Sequence, residues 1–585
     1  MSTDTASPTA SPLPFSDPIL SPTHASPRVF TANPTSSLTG PHLPSVHPST
    51  QSTDAPTLPI SLVDIESKTT ILEVDDPGAP LASEQDCSMT GTPRKCVLTF
   101  GPVAYSSTEG TTFTTRGYQK QRGFMGGPII RVKAGETFQI ELKNVLTAKD
   151  NYEAPPGQMN TPHLPNSTNV HTHGLHISGQ SPGDNIFTTV GPRQTATYTY
   201  EIPENHGAGT FLYHPHLHGS SSLQFGGGAA GVIIVEDAQN SLPLEVLAME
   251  DVPLLLTHIE PPKMEVLQEL YNFDLWQVKS GKEMVLTNGQ SSPSKTLVSG
   301  TWYRFRILFT SDQNIATVSF STVSGGATCE LELLAKDGIY LTTAPRSITK
   351  AYIPPGGRAD VAVRCSNSGR VNMIAVTSPA GTAKQSTHVP LQLTIEASSD
   401  RAADLSRFKP FRPCYLTDTR TVSPETSLDL TLGTGDPNTK LNGQFFESPD
   451  ISLNPTSPFI TGSLGEVTLL QGTFVHVLHI HVNPFQLTTL SPVIDTNYFQ
   501  VGDWHDTLDV FLAQPPGSIQ TIIRFWVDRY AGHAVVHCHM STHEDEGMMN
   551  TYLISGVEGA TVDIAARQVD PLCITELSGQ GYTLL

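Results

Sequence analysis

Apolar and polar residues alternate at every second position in short runs along most of the chain, and Gly, Pro and Asn break the runs apart. PIIRVKAGE (128–136), RADVAVRC (358–365) and IQTIIRFWVD (519–528) show the pattern. A period of two puts successive side chains on opposite faces, as in a strand with one buried side. The expected fold class is therefore all-β, built of antiparallel sandwiches. One strand opening recurs. KAGETFQIEL (133–142), VSGTWYRFRI (298–307) and LQGTFVHVLH (470–479) each place a Gly before an alternating run. The copies stand roughly 165 to 170 residues apart, which predicts three divergent repeats. Domains are expected at 85–238, 239–400 and 401–585, after a low-complexity tail and lead-in over 1–84.

Composition sharpens this picture. Charged residues are only 15%, while 46 Gly and 47 Pro favour short strands and turns. The net charge of -21 comes without a Lys/Arg block, so no nucleic-acid footprint is expected. Apolar runs such as AAGVIIV (229–235) are too short for a membrane span. Residues 1 to about 60, rich in Ser, Thr and Pro, read as a disordered tail or stalk. No secretory signal is visible there. Against that, Cys87, Cys96, Cys329, Cys365, Cys414 and Cys573 form an even set compatible with disulfides and an extracellular or other oxidising compartment. Cys87 with Cys96 is the first expected pair. The sequon at Asn166 also points to export.

The histidines fall unevenly among the repeats. NVHTHGLH (169–176) and FLYHPHLHG (211–219) lie in the first, HVLHIHVNPF (476–485) and HCHMSTH (537–543) in the third. The middle repeat has only His258 and His388 and is expected to be a spacer. On a strand, His-x-His aims two imidazoles to one side. His171/His173, His214/His216, His479/His481 and His537/His539 are four such pairs, enough for about three metal ions. With His537 and His539 facing that cluster, Cys538 must face the other way, within reach of His476, His543 and Met548. A thiolate, two imidazoles and a weak axial thioether are the ligands of a blue copper site. Zinc is the rival metal, but structural zinc sites usually use several thiolates.

With these motifs the chain resembles the multicopper oxidases, the family of laccases, bilirubin oxidases, ascorbate oxidases and metallo-oxidases. The resemblance spans roughly residues 90 to 555. It implies three consecutive cupredoxin-like Greek-key sandwiches and four copper ions. By position, His476, Cys538, His543 and Met548 would hold a type 1 copper, and His171 and His479 a type 2 copper. His173, His214, His216, His481, His537 and His539 would hold a type 3 pair. Two positions depart from the commoner pattern: Leu212 replaces an aromatic residue, and Val477 replaces a Pro. The axial Met implies a low or middling potential.

The implied reaction is four one-electron oxidations of a small reducing substrate, with electrons passing through Cys538, coupled to reduction of O2 to two waters. That consumes protons, and Asp184 and Glu544 are the acids expected to relay them. Asp545, with Asp503, Asp506 and Asp509, is expected on the substrate side. His176, His218, His505 and His533 occupy no ligand position. A phenol or aromatic amine is the expected substrate. The alternatives are Fe(II), Mn(II) or Cu(I), or a bilirubin-type donor, though the absence of a Met-rich insertion disfavours Cu(I). A nitrite reductase would need no four-pair cluster, and a non-enzymatic copper protein would tolerate lost ligands. A monomer is expected.

Overall fold

The structure is a computed structural model. It describes residues 60–62, 70–71, 75–82 and 86–561, apart from 120–124, 240, 262–281, 380–383, 434–438, 451, 454–457, 472–474, 491–496 and 511–519. The described residues all lie in one unit, Ala55–Leu585. The expected tail and Cys573 lie outside them.

Strands dominate, in six sheets that follow one another in pairs along the chain. In the first pair, Thr137–Asn144 lies between Gln194–Glu201 and Arg94–Ser106, and a four-stranded sheet carries Gly209–His214 beside His171–His173. Alternation works as expected: Phe138, Ile140 and Leu142 point inward and pack with Ile130, Val132 and Ile233 of the facing sheet. The second pair is built around Trp302–Thr310 and Gly369–Pro379, the third around Leu464–Gln471 and Gly532–Cys538. One apolar cluster runs through both, from Leu254 and Phe305 to Phe525 and Tyr552. Continuous burial of this kind holds sandwiches in a fixed relation.

Two expectations need correction. The lead-in is not all tail, because Ile60–Leu62 pairs with Gln194–Ala196 and Thr70–Ile71 with Val103–Ala104. The third repeat was also aligned one strand too late. In the first two sandwiches the repeated strand pairs parallel to one neighbour and antiparallel to another. In the third, Leu464–Gln471 has that pairing, while His476–Ile480 belongs to the other sheet. The matching turn glycines are Gly135, Gly300 and Gly462, with φ of +79°, +82° and +86°. This left-handed conformation is open to Gly at no steric cost. The error arose because Gly472 also precedes an alternating run.

Disulfides join Cys87 to Cys96, as expected, and Cys329 to Cys365, and Cys414 is disulfide-bonded as well. These bonds fit an oxidising compartment. The sequon reading does not survive. Asn166 is fully buried, its amide donates to Thr147 and Lys149 carbonyls, and its oxygen accepts from Arg116. No helix among the described residues is long and apolar enough to cross a membrane.

Candidate metal centre

Strand register brings the histidine motifs together. His476–Ile480 runs antiparallel to Gly532–Cys538, with His479 opposite His537 and Leu478 opposite Cys538. Opposed residues share a face, so His537 and Cys538 point to opposite sides of one strand. In the first sandwich His171 stands opposite His214.

On one side of the Gly532–Cys538 strand, Cys538 Sγ lies 3.7 Å from His476 Nδ1 and 3.6 Å from His543 Nδ1. Met548 is fully buried in the same apolar cluster, and its carbonyl accepts the Cys538 N–H. Burial pushes the Cys538 thiol up to about 12 and, with His543, brings His476 down to about 3. The His476 imidazole is thus a neutral lone-pair donor, and a thiolate here needs a neighbouring cation.

On the other side, eight buried imidazoles gather. His173 Nδ1 lies 3.0 Å from His539 Nε2 and 3.4 Å from His214 Nε2, forming one triad. His216, His481 and His537 form a second, with 3.1 Å between His216 and His537 Nε2. His171 and His479 stack against His481 and His173, with centroids 4.0 and 3.7 Å apart. Backbone carbonyls hold Nδ1 of His214, His479 and His537. Thr507 and Asp506 hold His173 Nε2 at 2.8 and 3.1 Å. Such contacts fix the tautomer and aim the other nitrogen inward. There, Nε2 of His171, His479 and His481 is buried with no hydrogen-bond partner among the described residues. Burial lowers all three of these histidines. Unpartnered neutral imidazole nitrogens converging in a dry cluster cost free energy unless a cation takes their lone pairs. The donor set fits copper.

Acids flank the cluster. Asp184 accepts from His171 Nδ1 at 2.6 Å and from the Thr172 N–H and hydroxyl at 2.7 and 3.0 Å. Glu544 Oε1 accepts from Ser221 at 2.6 Å and lies 3.1 Å from His216 Nδ1. Burial alone would raise both carboxyls, but the histidines and the donated hydrogen bonds hold them low.

The acids expected on the substrate side are all buried. Asp545 is buried and accepts from Gly219 N–H and from Ser222 N–H and hydroxyl at 2.7 to 2.8 Å, tying the helix Ser541–Asp545 to the helix Ser221–Gln224. Asp503 pairs with Lys336 and Arg346 of the middle sandwich. Asp506 makes a two-pronged pair with Arg358 beside His173. Asp509 is buried, with neither oxygen hydrogen-bonded among the described residues. Of the other histidines, His176 stacks on Tyr415, His505 bonds Asp337, and His218 and His533 meet Asn160 and Ser452.

The middle sandwich is more than a spacer. Besides Arg358, it sends in Gly356, where an added Cβ would lie 2.7 Å from His173 Cε1 and 2.8 Å from His539 Cε1. Both residues were missed. The one available signal was Gly356-Gly357 after Pro354-Pro355, a turn suited to close backbone approach.

Three sandwiches that carry a thiolate site and an eight-imidazole cluster back to back define a redox metalloprotein of the copper class. The comparisons carry this to a family. Multicopper oxidase family models match residues 159–240 and 419–556. The multicopper oxidase mco of Staphylococcus aureus is 22% identical over 450 residues, covering 75% of this chain and 84% of that protein. A laccase of Bacillus stratosphericus is 24% identical over 488 residues, covering 73% and 88%. Among solved structures, a Campylobacter jejuni multicopper oxidase described as a metallo-oxidase superposes with a TM-score of 0.61 at 16% identity, covering 86% of this chain and 99% of that one. A variant of McoA from Aquifex aeolicus gives 0.63 at 20%, covering 82% and 100%. The family models and the curated relatives indicate the multicopper oxidase family, whose members are copper oxidoreductases using O2, and the solved structures share its fold.

Proposed function

We propose that this chain is a laccase-like oxidase that removes one electron from each of four phenol or aromatic amine molecules and reduces O2 to two waters. The supporting observation is the placement of Cys538 between His537 and His539, with the thiol on one face and both imidazoles on the other. His476, Cys538, His543 and Met548 would hold a type 1 copper, and His171 and His479 a type 2 copper. His173, His214 and His539 would hold one type 3 ion, and His216, His481 and His537 the other. The four coppers would supply one-electron acceptance at the thiolate and four-electron chemistry toward O2.

The chain's own groups do the rest. The peptide bonds from Cys538 to its two neighbours are the shortest covalent path between the clusters. Thr507 and Asp506 orient His173, and Asp184 orients His171. Glu544, whose Oε1 accepts from the Ser221 hydroxyl at 2.6 Å and lies 3.1 Å from His216 Nδ1, would relay protons at the edge of the cluster. His543 is only partly buried. It is the ligand of the thiolate site through which an outer donor would pass its electron. The protein would act as a monomer in an oxidising compartment, with the first and third sandwiches carrying all the copper ligands.

A metallo-oxidase acting on Fe(II) or Mn(II) is the second reading. It is favoured by the similarity to the Campylobacter jejuni protein and by the net charge of -21, which attracts cations. The test is copper content, absorbance near ~600 nm, and O2 uptake with a phenol and then with Fe(II). A blue protein oxidising the phenol faster supports the laccase-like reading, and faster Fe(II) oxidation reverses the order. A colourless protein, or one that cannot reduce O2, removes both.

A further inference from the structure

The two histidines of the middle sandwich, far apart in sequence, meet at one carboxylate. His258 lies on Glu250–Ile259 of one sheet and His388 on Ser386–Glu396 of the other, and Glu283 immediately precedes the strand Met284–Thr287. His258 Nε2 is 2.9 Å from Glu283 Oε1, and His388 Nε2 is 3.5 Å from the same atom. The two rings are 5.9 Å apart at 70°.

These separations match the edges of a coordination shell. Metal bonds of about 2.1 Å to imidazole and carboxylate set neighbouring donors about 3.0 Å apart in an octahedron and about 3.4 Å apart in a tetrahedron. Thr377 Oγ1 adds a neutral oxygen, 3.1 Å from Glu283 Oε1 and 3.0 Å from His388 Nε2. The surrounding contacts orient the donors. Ser311 Oγ lies 3.0 Å from His258 Nδ1, leaving Nε2 to face inward, and Ser386 Oγ donates to Glu283 Oε2 at 2.7 Å, so that Oε1 is the carboxylate oxygen turned toward both imidazoles and Thr377. The ion-pair partners of Glu283 among the described residues are both histidines. Access is open from one side: the side chains of His258, His388 and Glu283 are 1%, 11% and 24% exposed.

We propose that His258, His388 and Glu283 form a site for a single first-row divalent cation, separate from the copper clusters. Two imidazoles and one carboxylate are a borderline donor set suited to zinc. A bound ion would cross-link the two sheets of the middle sandwich, so its effect is on stability and metal content.

The experiment is titration of the fully copper-loaded protein with Zn2+ against a chromophoric chelator, with zinc and copper counted after dialysis. One retained zinc per chain is expected, with copper content, blue absorbance and O2 uptake unchanged. His388→Ala and Glu283→Gln should each weaken zinc binding at least tenfold and abolish the rise in Tm that zinc gives the unsubstituted protein. The amide of Glu283→Gln keeps hydrogen-bonding capacity, which separates loss of a metal from loss of folding. No retained zinc, or equal retention by the parent and both variants, would overturn the site. A variant that lowers Tm by the same amount with and without zinc, while the parent shows no zinc shift, would identify the cluster as a hydrogen-bonded one alone.

Discussion

Gly356→Ala places a methyl group from the middle sandwich against His173 of the first sandwich and His539 of the third. The new carbon would lie 2.7 Å from His173 Cε1 and 2.8 and 2.9 Å from His539 Cε1 and Nε2. Comfortable contact is about 3.5 to 4.0 Å, so the rings must retreat by roughly 0.6 to 1.3 Å. Two costs add. The backbone φ of +80° disfavours any Cβ, at about 1–2 kcal/mol, and the overlap contributes about 1–3 kcal/mol more. Gly326→Ala separates them, because Gly326 has φ +71° and nothing within 4 Å of the added carbon. In urea unfolding, Gly356→Ala should therefore lose clearly more stability than Gly326→Ala. Since a misplacement of about 1 Å can cost about 100-fold in rate, its O2 uptake should fall by that order. The absorbance from the thiolate site should persist, because neither ring belongs to it. If Gly356→Ala unfolds like Gly326→Ala and keeps the parental rate, the middle sandwich does not shape the cluster as argued here.

Other outcomes follow from the same contacts. Arg358→Lys replaces a two-pronged partner of Asp506 with a point charge; O2 uptake should drop at least tenfold with the blue band retained, and an unchanged rate would refute the positioning role. Cys538→Ser should abolish the blue band and electron entry while leaving the imidazole cluster able to bind copper, which copper counting checks. Burial would raise Asp503, but Lys336 and Arg346 hold its carboxyl below the usual 3.8. Its stabilising effect is therefore present above about pH 4 and lost as pH falls through the lower folded value. Asp503→Asn should cost about 3–5 kcal/mol at neutral pH, leaving Lys336 buried without its partner, and should flatten the acid limb of the stability curve. Protein secreted from a glycosylating host should carry no glycan at Asn166, since its amide is engaged inside the fold; a mass shift removed by Asn166→Gln would contradict this.

The sequence alone determined the strand content, the three sandwiches and the gathering of the paired histidines. A period of two fixes which side chains share a face, and that property is local. It was enough to separate Cys538 from His537 and His539 before any sheet was assembled, while the short separation of Cys87 and Cys96 made them the first expected pair. Only the tertiary structure decided how the six outer histidines divide into triads, because that depends on which strands pair. It also decided the fate of the acids. Asp503, Asp506 and Asp545 look like surface carboxylates in sequence, yet each is buried against partners more than 140 residues away. Arg358 and the His258–Glu283–His388 group carry no local signal of their own, and Gly356 only that of its Pro-Pro-Gly-Gly turn. Their roles arise where separate sheets meet, and a pattern read along one strand holds no record of what another strand brings to it.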